Sequence, residues 1–194
     1  IRVVKQKNSG SAGGPRNRGI ELSNGEYIFM LDPDDVLPYT AFEKLYSHAE
    51  KEKADIVCGN YLRFNSKKSW TIKHISQAIF TEERVTNLAE FPELMINGIT
   101  CNKLYRLDFI KRYNIRYNEK FKNGEDRIFM LKAYLHADKI KIIPDIVYKY
   151  RDRENEDNMS TTQKLNFKVF KESLDSIIKN YNYLIKTGNE IYVC

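Results

Sequence analysis

The run Asn24-Gly25-Glu26-Tyr27-Ile28-Phe29-Met30-Leu31-Asp32-Pro33-Asp34-Asp35 constrains this chain more than any other stretch. A glycine closes one element, and a mostly apolar run follows without interruption, the pattern of a strand buried on both faces. The strand then stops in three carboxylates within four positions, with a proline between the first two. In open α/β sheets, ligands bind beyond the carboxyl ends of the strands. Carboxylates gathered there suit a hard divalent cation, Mg²⁺ or Mn²⁺, which in turn grips a diphosphate. Taken alone, Asp-x-Asp is first of all a polar turn, because Asp and Pro are common turn formers.

A length of 194 residues suits one domain, or one domain with an appended piece. Hydrophobic residues make up 42% and charged ones 30%, which provides a core and excludes a disordered chain. No apolar run approaches the length of a membrane span, and no secretory signal opens the sequence. The first residue is Ile, inside what reads as a strand, so the front of a longer protein is expected to be missing. Cys58, Cys101 and Cys194 share no metal or disulfide spacing, which points to reduced cysteines in cytoplasm. The net charge of +6 favours an anionic partner but, being spread along the chain, does not choose among nucleotide, acidic glycan and lipid surface.

In chain order, residues 1–7 read as a strand and 8–14 as a Gly-rich loop. Pro15-Arg16-Asn17-Arg18-Gly19-Ile20 opens a helix that Asn24-Gly25 stops. Such a loop is as often a plain turn as a phosphate cradle, although Arg16 or Arg18 could add donors for a diphosphate. A helix from Pro38 to Lys53 precedes a strand over 55–64, and Asn65-Ser66-Lys67-Lys68 turns into a second strand over 69–75. The segment 81–98 reads as partly helical, a short helix covers Asp108–Tyr113, and another begins at Glu125-Asp126. Two short strands, 139–143 and 146–150, flank Pro144-Asp145. Residues 151–160 have neither periodicity and make a lid-sized loop. From 161 to about 186, apolar residues recur at helical spacing, open to packing on the domain, to an oligomer, or to a membrane surface.

Asp126 lies in the first turn of its helix, where the dipole and free amides favour an ionised carboxylate. That suits a base, and it equally suits an ordinary helix start. In order along the chain, Asn8-x-Gly10, Pro15-Arg16-Asn17-x-Gly19-Ile20 and Gly25 to Asp35 resemble a bacterial family 2 glycosyltransferase of GT-A fold. The resemblance continues through Asn102-Lys103-Leu104-Tyr105-Arg106, Gly124-Glu125-Asp126, Tyr150-Arg151 and Asn158-Met159-Ser160. It implies a Rossmann-like α/β domain over 1–160, with a mixed sheet flanked by helices, and leaves 161–194 as an amphipathic helix and tail.

The resemblance also implies inverting transfer of a sugar from a nucleoside diphosphate sugar, usually a UDP-sugar. The acceptor would be a hydroxyl of a glycan or lipid-linked molecule in cell-surface polysaccharide synthesis. Asp34 would hold Mg²⁺ or Mn²⁺, with Asp35 assisting, and Asp32 would face the ribose and diphosphate. Asp126 would be the general base, and Glu125 would orient a sugar. Asn8 and Arg16 would line the nucleotide site, and Arg151 to Ser160 would close over the donor. The strands that bind the nucleoside base in such enzymes have no match here, so residues 1–194 alone are expected to transfer sugar weakly or not at all. A cytoplasmic enzyme resting on the inner membrane face, or associating through its C-terminal helix, fits the charge and amphipathicity. A noncatalytic carbohydrate- or membrane-surface-binding module is the competing class. A nucleic-acid binder is disfavoured, because no recognition helix is evident and the acidic cluster repels phosphate.

Overall fold

Ile56-Val57-Cys58 carries no polar position because β2 (Ile56–Phe64) crosses the middle of the sheet and has neighbours on both sides. The computed structural model describes residues 2–121, 123–154 and 167–188. Its six-stranded sheet has the order β1 (Tyr27–Phe29), β5 (Lys103–Arg106), β2, β6 (Ile140–Arg151) and β4 (Arg84–Thr86), with β3 (Ser69–Thr71) hairpinned onto β2. β2 and β6 are parallel, and the remaining pairs are antiparallel, so the sheet is mixed. Asp55 pins three strand ends together. Its carboxylate accepts the Asp138 and Lys139 amides at 3.0 and 3.2 Å and pairs with Arg106 at 2.7 Å.

Helices flank this sheet. In α2 (Ala41–Glu52), the residues at every fourth position, Ala41, Leu45 and Ala49, are fully buried against the sheet. α5 (Glu125–His136) buries four consecutive residues, Ile128 to Leu131, with Ala133 and Tyr134, because it is covered from more than one side. Its Phe129 meets Tyr105 of β5 edge-on at 5.6 Å and stacks on Tyr117 at 4.2 Å. α1 (Gly13–Leu22), α3 (Lys73–Ile79) and α4 (Leu107–Arg112) complete the layers, and α6 (Phe167–Lys186) lies along α5. Phe170, Leu174, Ile177, Ile178, Tyr181 and Ile185 form a stripe on α6 that is 42–55% exposed. Among the described residues, no helix is long and apolar enough to cross a membrane.

Several elements depart from expectation. Residues 2–9, within the strand expected over 1–7, form no strand and pair with none of the described strands. β1 is half-buried rather than buried on both faces, because among the described residues it is paired only with β5. The strand expected over 69–75 ends at Thr71, and α3 takes over from Lys73. The segment 81–98, expected to be partly helical, is so only in a 3-10 turn, Pro92–Ile96, and opens instead with the short strand β4. The final residues of the expected lid, 155–160, lie outside the described residues.

The two short strands around Pro144-Asp145 are one continuous β6 with a bulge. Gly59 pairs with Ile143, Asn60 with Ile146 and Tyr61 with Tyr148, so β6 spends extra residues against β2 at the proline, which cannot donate a ladder bond. The bulge lays Val147 directly over Gly59, where a Cβ would run into both Val147 methyl groups. Gly59→Ala is expected to cost about 1–3 kcal/mol by overpacking. With Val147→Ala added, urea unfolding should show the pair costing less than the sum of the singles by about 0.5–2 kcal/mol. Strict additivity would contradict the contact.

Candidate active site

β1 delivers the acidic run into a tight turn, closed by the Asp35 amide donating to the Asp32 carbonyl at 3.1 Å. Each carboxylate of this turn already has a protein donor. Asp32 accepts from Arg16 Nη2 at 2.6 Å. Asp34 Oδ2 takes Arg153 Nε at 2.8 Å and Nη2 at 2.6 Å, and the Asp34 carbonyl takes Arg151 Nε at 2.7 Å. Asp35 accepts the Tyr148 hydroxyl at 2.5 Å and the Arg151 amide at 2.7 Å. The β6 bulge makes this possible, because it re-aims Tyr148 to Arg151 toward the turn, and Val36 bridges to Lys149.

Arg16 ties the turn to the second half of the site. Its Nη1 holds Asp126 Oδ1 at 2.6 Å while Nη2 holds Asp32, and only 12% of its side chain is exposed. Its guanidinium lies 5.3 Å from the centre of the Tyr117 ring. Asn17, the next residue on α1, fixes that ring. It exchanges hydrogen bonds with the Tyr117 backbone at 2.9 and 3.0 Å and donates to Glu119 at 2.8 Å. Burial works against the Arg16 charge, but Asp126 first, with Asp32 and others, outweighs it and raises the pKa above the ordinary arginine value. Arg16 is a permanent cation.

Burial pushes the Asp126 carboxyl up, and the Arg16 charge opposes that rise. Thr100 Oγ1 adds a donor to Asp126 at 3.3 Å. The Thr100-Cys101 loop is held from behind by two polar residues with no exposure at all, Asn102 and Lys103. Lys103 Nζ donates to the Ile99 carbonyl at 2.5 Å and to Asn102 Oδ1 at 2.7 Å. Cys101 lies 3.8 Å from Asp32, but burial, followed by the Asp32 charge, pushes its thiol up to about 12. Burial thus favours the neutral thiol over the thiolate. Glu125, half-buried beside Asp126, is pushed up to about 7, by burial first and the Asp126 charge second.

The expected site residues therefore divide. Asp32, Asp126 and Arg16 meet directly; Asp34, Asp35 and Arg151 form the adjoining cluster, and Glu125 sits next to Asp126 in the chain. Asn8 does not join them, its Oδ1 accepting the Gly10 amide at 2.8 Å within its own exposed loop. Ser160 lies outside the described residues. Sequence reasoning gave no role to Asn17, Thr100, Tyr117 or Tyr148, and had Arg153 only as part of the expected lid. The signal for the Thr100 loop was available in Asn102-Lys103, two polar residues leading into an apolar strand. A groove of about 770 Å³ between residues 2–6 and α1 is lined by Arg2, Lys5 and Arg18, and by none of the carboxylates.

The donor set of the turn is hard oxygen, which fits Mg²⁺ or Mn²⁺. Among the described residues, no three His, Cys, Asp or Glu side chains converge as a ready cage. A divalent ion would thus take one or two carboxylates from the chain and the rest of its shell from phosphate and water, the usual habit of Mg²⁺.

A mixed sheet flanked by helices and ending in an acidic turn, with a second carboxylate pair at a facing helix start, is an arrangement of the GT-A type. Solved structures agree. Staphylococcus aureus TarS 1–349 in complex with UDP-GlcNAc superposes with a TM-score of 0.68 at 25% identity, over 78% of this chain and 42% of that one. The family model for glycosyl transferase family 2 matches residues 1–113, and the chain belongs to that family. Among curated relatives, the uncharacterized glycosyltransferase EpsJ of Bacillus subtilis is 30% identical over 80% of this chain and 46% of its own length. Poly(ribitol-phosphate) beta-N-acetylglucosaminyltransferase TarP of S. aureus is 26% identical over 85% of this chain and 50% of its own. The chain spans about half the length of these relatives.

The raised Glu125 pKa has a consequence for stability. A carboxyl bound more tightly to its proton in the folded state weakens the fold as pH climbs from the free value of 4.5 through about 7. Glu125→Gln is therefore expected to raise the melting temperature by about 2–4 °C at pH 8, after allowance for solvent screening, and to change it little below pH 4.5. Calorimetry at both pH values checks this. Equal shifts at the two would contradict the burial argument.

Proposed function

We propose that this chain carries the catalytic centre of an inverting glycosyltransferase that moves a sugar from a UDP-sugar to a hydroxyl of a cell-surface polymer. One observation carries the reading. Arg16 holds Asp32, on the donor side, and Asp126, on the acceptor side, on a single guanidinium. A binding module has no use for a buried cation that sets two carboxylates against each other across a site. The relatives support the substrate class: TarP is named for transfer of N-acetylglucosamine to poly(ribitol phosphate), and TarS has been solved with UDP-GlcNAc. UDP-GlcNAc with a polyol-phosphate acceptor is accordingly the first pair to try.

The geometry supports the following steps. Asp126, whose ionised form Arg16 and Thr100 favour against its burial, accepts the proton of the acceptor hydroxyl. The freed oxygen attacks the anomeric carbon on the face opposite the diphosphate. The bond from that carbon to the phosphate oxygen breaks, and its electron pair leaves with UDP. One displacement inverts the anomeric centre, so a single basic carboxylate suffices. Glu125, close to half-protonated at neutral pH, can both donate to and accept from a sugar hydroxyl and so orients the ring. A Mg²⁺ or Mn²⁺ held by Asp34, with Asp32 and Asp35 beside it, would neutralise charge on the leaving diphosphate. Arg151 and Arg153 stand at Asp34, where a diphosphate would lie.

Calorimetric titration of UDP into the full-length protein, with and without Mn²⁺, tests this reading. Metal-dependent binding is expected, weakened at least tenfold by Asp34→Ala and left within about twofold by Asp126→Ala, as a donor contact and an acceptor-side base require. UDP binding indifferent to both the metal and Asp34 would sink the metal assignment. No binding at all would sink the UDP-sugar reading.

A further inference from the structure

The helix start that carries Glu125 and Asp126 lacks a cap of its own. Gly124 occupies the N-cap position, in the left-handed region at φ 77°, and no side chain there bonds the first-turn amides. The turn is held from outside, by α6. Ser176, with 1% exposure, donates from Oγ to the Gly124 carbonyl at 2.8 Å. The same carbonyl takes the first helical bond, from the Arg127 amide at 3.2 Å. Asn123 Nδ2 donates to Glu172 Oε2, and Arg127 Nη1 reaches the Ser173 carbonyl at 3.5 Å. The fit is close: a Cβ at Gly124 would come within 2.9 Å of both Ser176 Cβ and Oγ. Leu184, 4% exposed, and the Lys179 ammonium 4.1 Å from the Phe121 ring centre anchor the same helix further along.

We infer that α6 is a positioning element of the catalytic site, with Ser176 and Glu172 setting the Asn123-Gly124 turn and, through it, Asp126 and Glu125. The inference rests on Asp126 being the base. A helix outside the span matched by the family model thus completes the catalytic half of the site. The contact is local to the turn and touches none of the acidic residues at the end of β1. It therefore acts on the acceptor-side carboxylates and spares donor binding. A displacement on the order of 1 Å in a catalytic group can cost about 100-fold in rate.

The test uses the full-length enzyme with UDP-GlcNAc and poly(ribitol phosphate), and the variants Ser176→Ala, Ser176→Val and Asp126→Asn. Ser176→Ala removes the donor without adding bulk, and Ser176→Val pushes a branch into Gly124. The expected result is a kcat lower by about threefold to tenfold in the first and about 100-fold in the second, with KM for UDP-GlcNAc within about twofold. Hydrogen exchange reads the same event without turnover. The amides of 124–127 should exchange about tenfold faster in Ser176→Ala, with the sheet amides unchanged. Wild-type kcat in both Ser176 variants, with Asp126→Asn inactive, would overturn the positioning role and leave the base intact. Loss of UDP affinity in step with kcat, or faster exchange throughout the sheet, would overturn it too, by showing a general loss of structure. Full activity in Asp126→Asn would remove the base itself, and the inference with it.

Discussion

The site depends on one buried cation. Asp32, Glu125 and Asp126 come from two segments far apart in the chain, and bringing them together without compensation would be costly. Two like charges about 4 Å apart at an effective dielectric near 20 repel by about 4 kcal/mol. The Arg16 guanidinium, with donors in a fixed fork, binds Asp32 through one arm and Asp126 through the other. A lysine in its place would present a point charge and could not hold both carboxylates in the same geometry. The pair is structural and chemical at once: it joins α1, the acidic turn and α5, and its charge opposes the rise that burial imposes on the Asp126 carboxyl.

The rest of the fold serves that junction. Asn17 fastens Tyr117 beneath the guanidinium, and Lys103 with Asn102 stiffens the loop that brings Thr100 to Asp126. The β6 bulge, tolerated because Gly59 has no side chain, turns Tyr148 and Arg151 onto Asp35. From the other side, α6 holds the turn that local capping leaves open. Each device spends a buried polar group or a strained position to fix a carboxylate, as preorganised sites do.

Much of this was legible in the residues. The apolar run of β2 and the stop at Asp32-Pro33-Asp34-Asp35 pointed to the α/β class and the acidic turn, and Glu125-Asp126 at a helix start was visible from the Asn123-Gly124 turn and the apolar spacing after it. What escaped detection was non-local. That Arg16 would face Asp126, 110 positions away, has no periodic signature. The strand expected over residues 1–7 failed because apolar alternation reports propensity and not the presence of a pairing partner. In the 81–98 segment the strand β4 was missed for a related reason: the apolar spacing there fits a helix, but only a 3-10 turn forms, and the segment's front pairs at the sheet edge. The irregularity at Pro144-Asp145 was visible but read as a break between two strands, because the partner that makes it a bulge, Gly59, lies on another strand.

The central claim is that Arg16 sets the protonation of Asp126, and the pH dependence of kcat in Arg16→Gln against wild type tests it most directly. Using kcat at saturating donor separates this from any lost donor contact. Because the cation stabilises the ionised carboxylate, its removal should raise the base's pKa and move the acidic limb of the profile to higher pH by about 1–2 units. A limb that stays in place, or moves to lower pH, would show that Arg16 does not control the base.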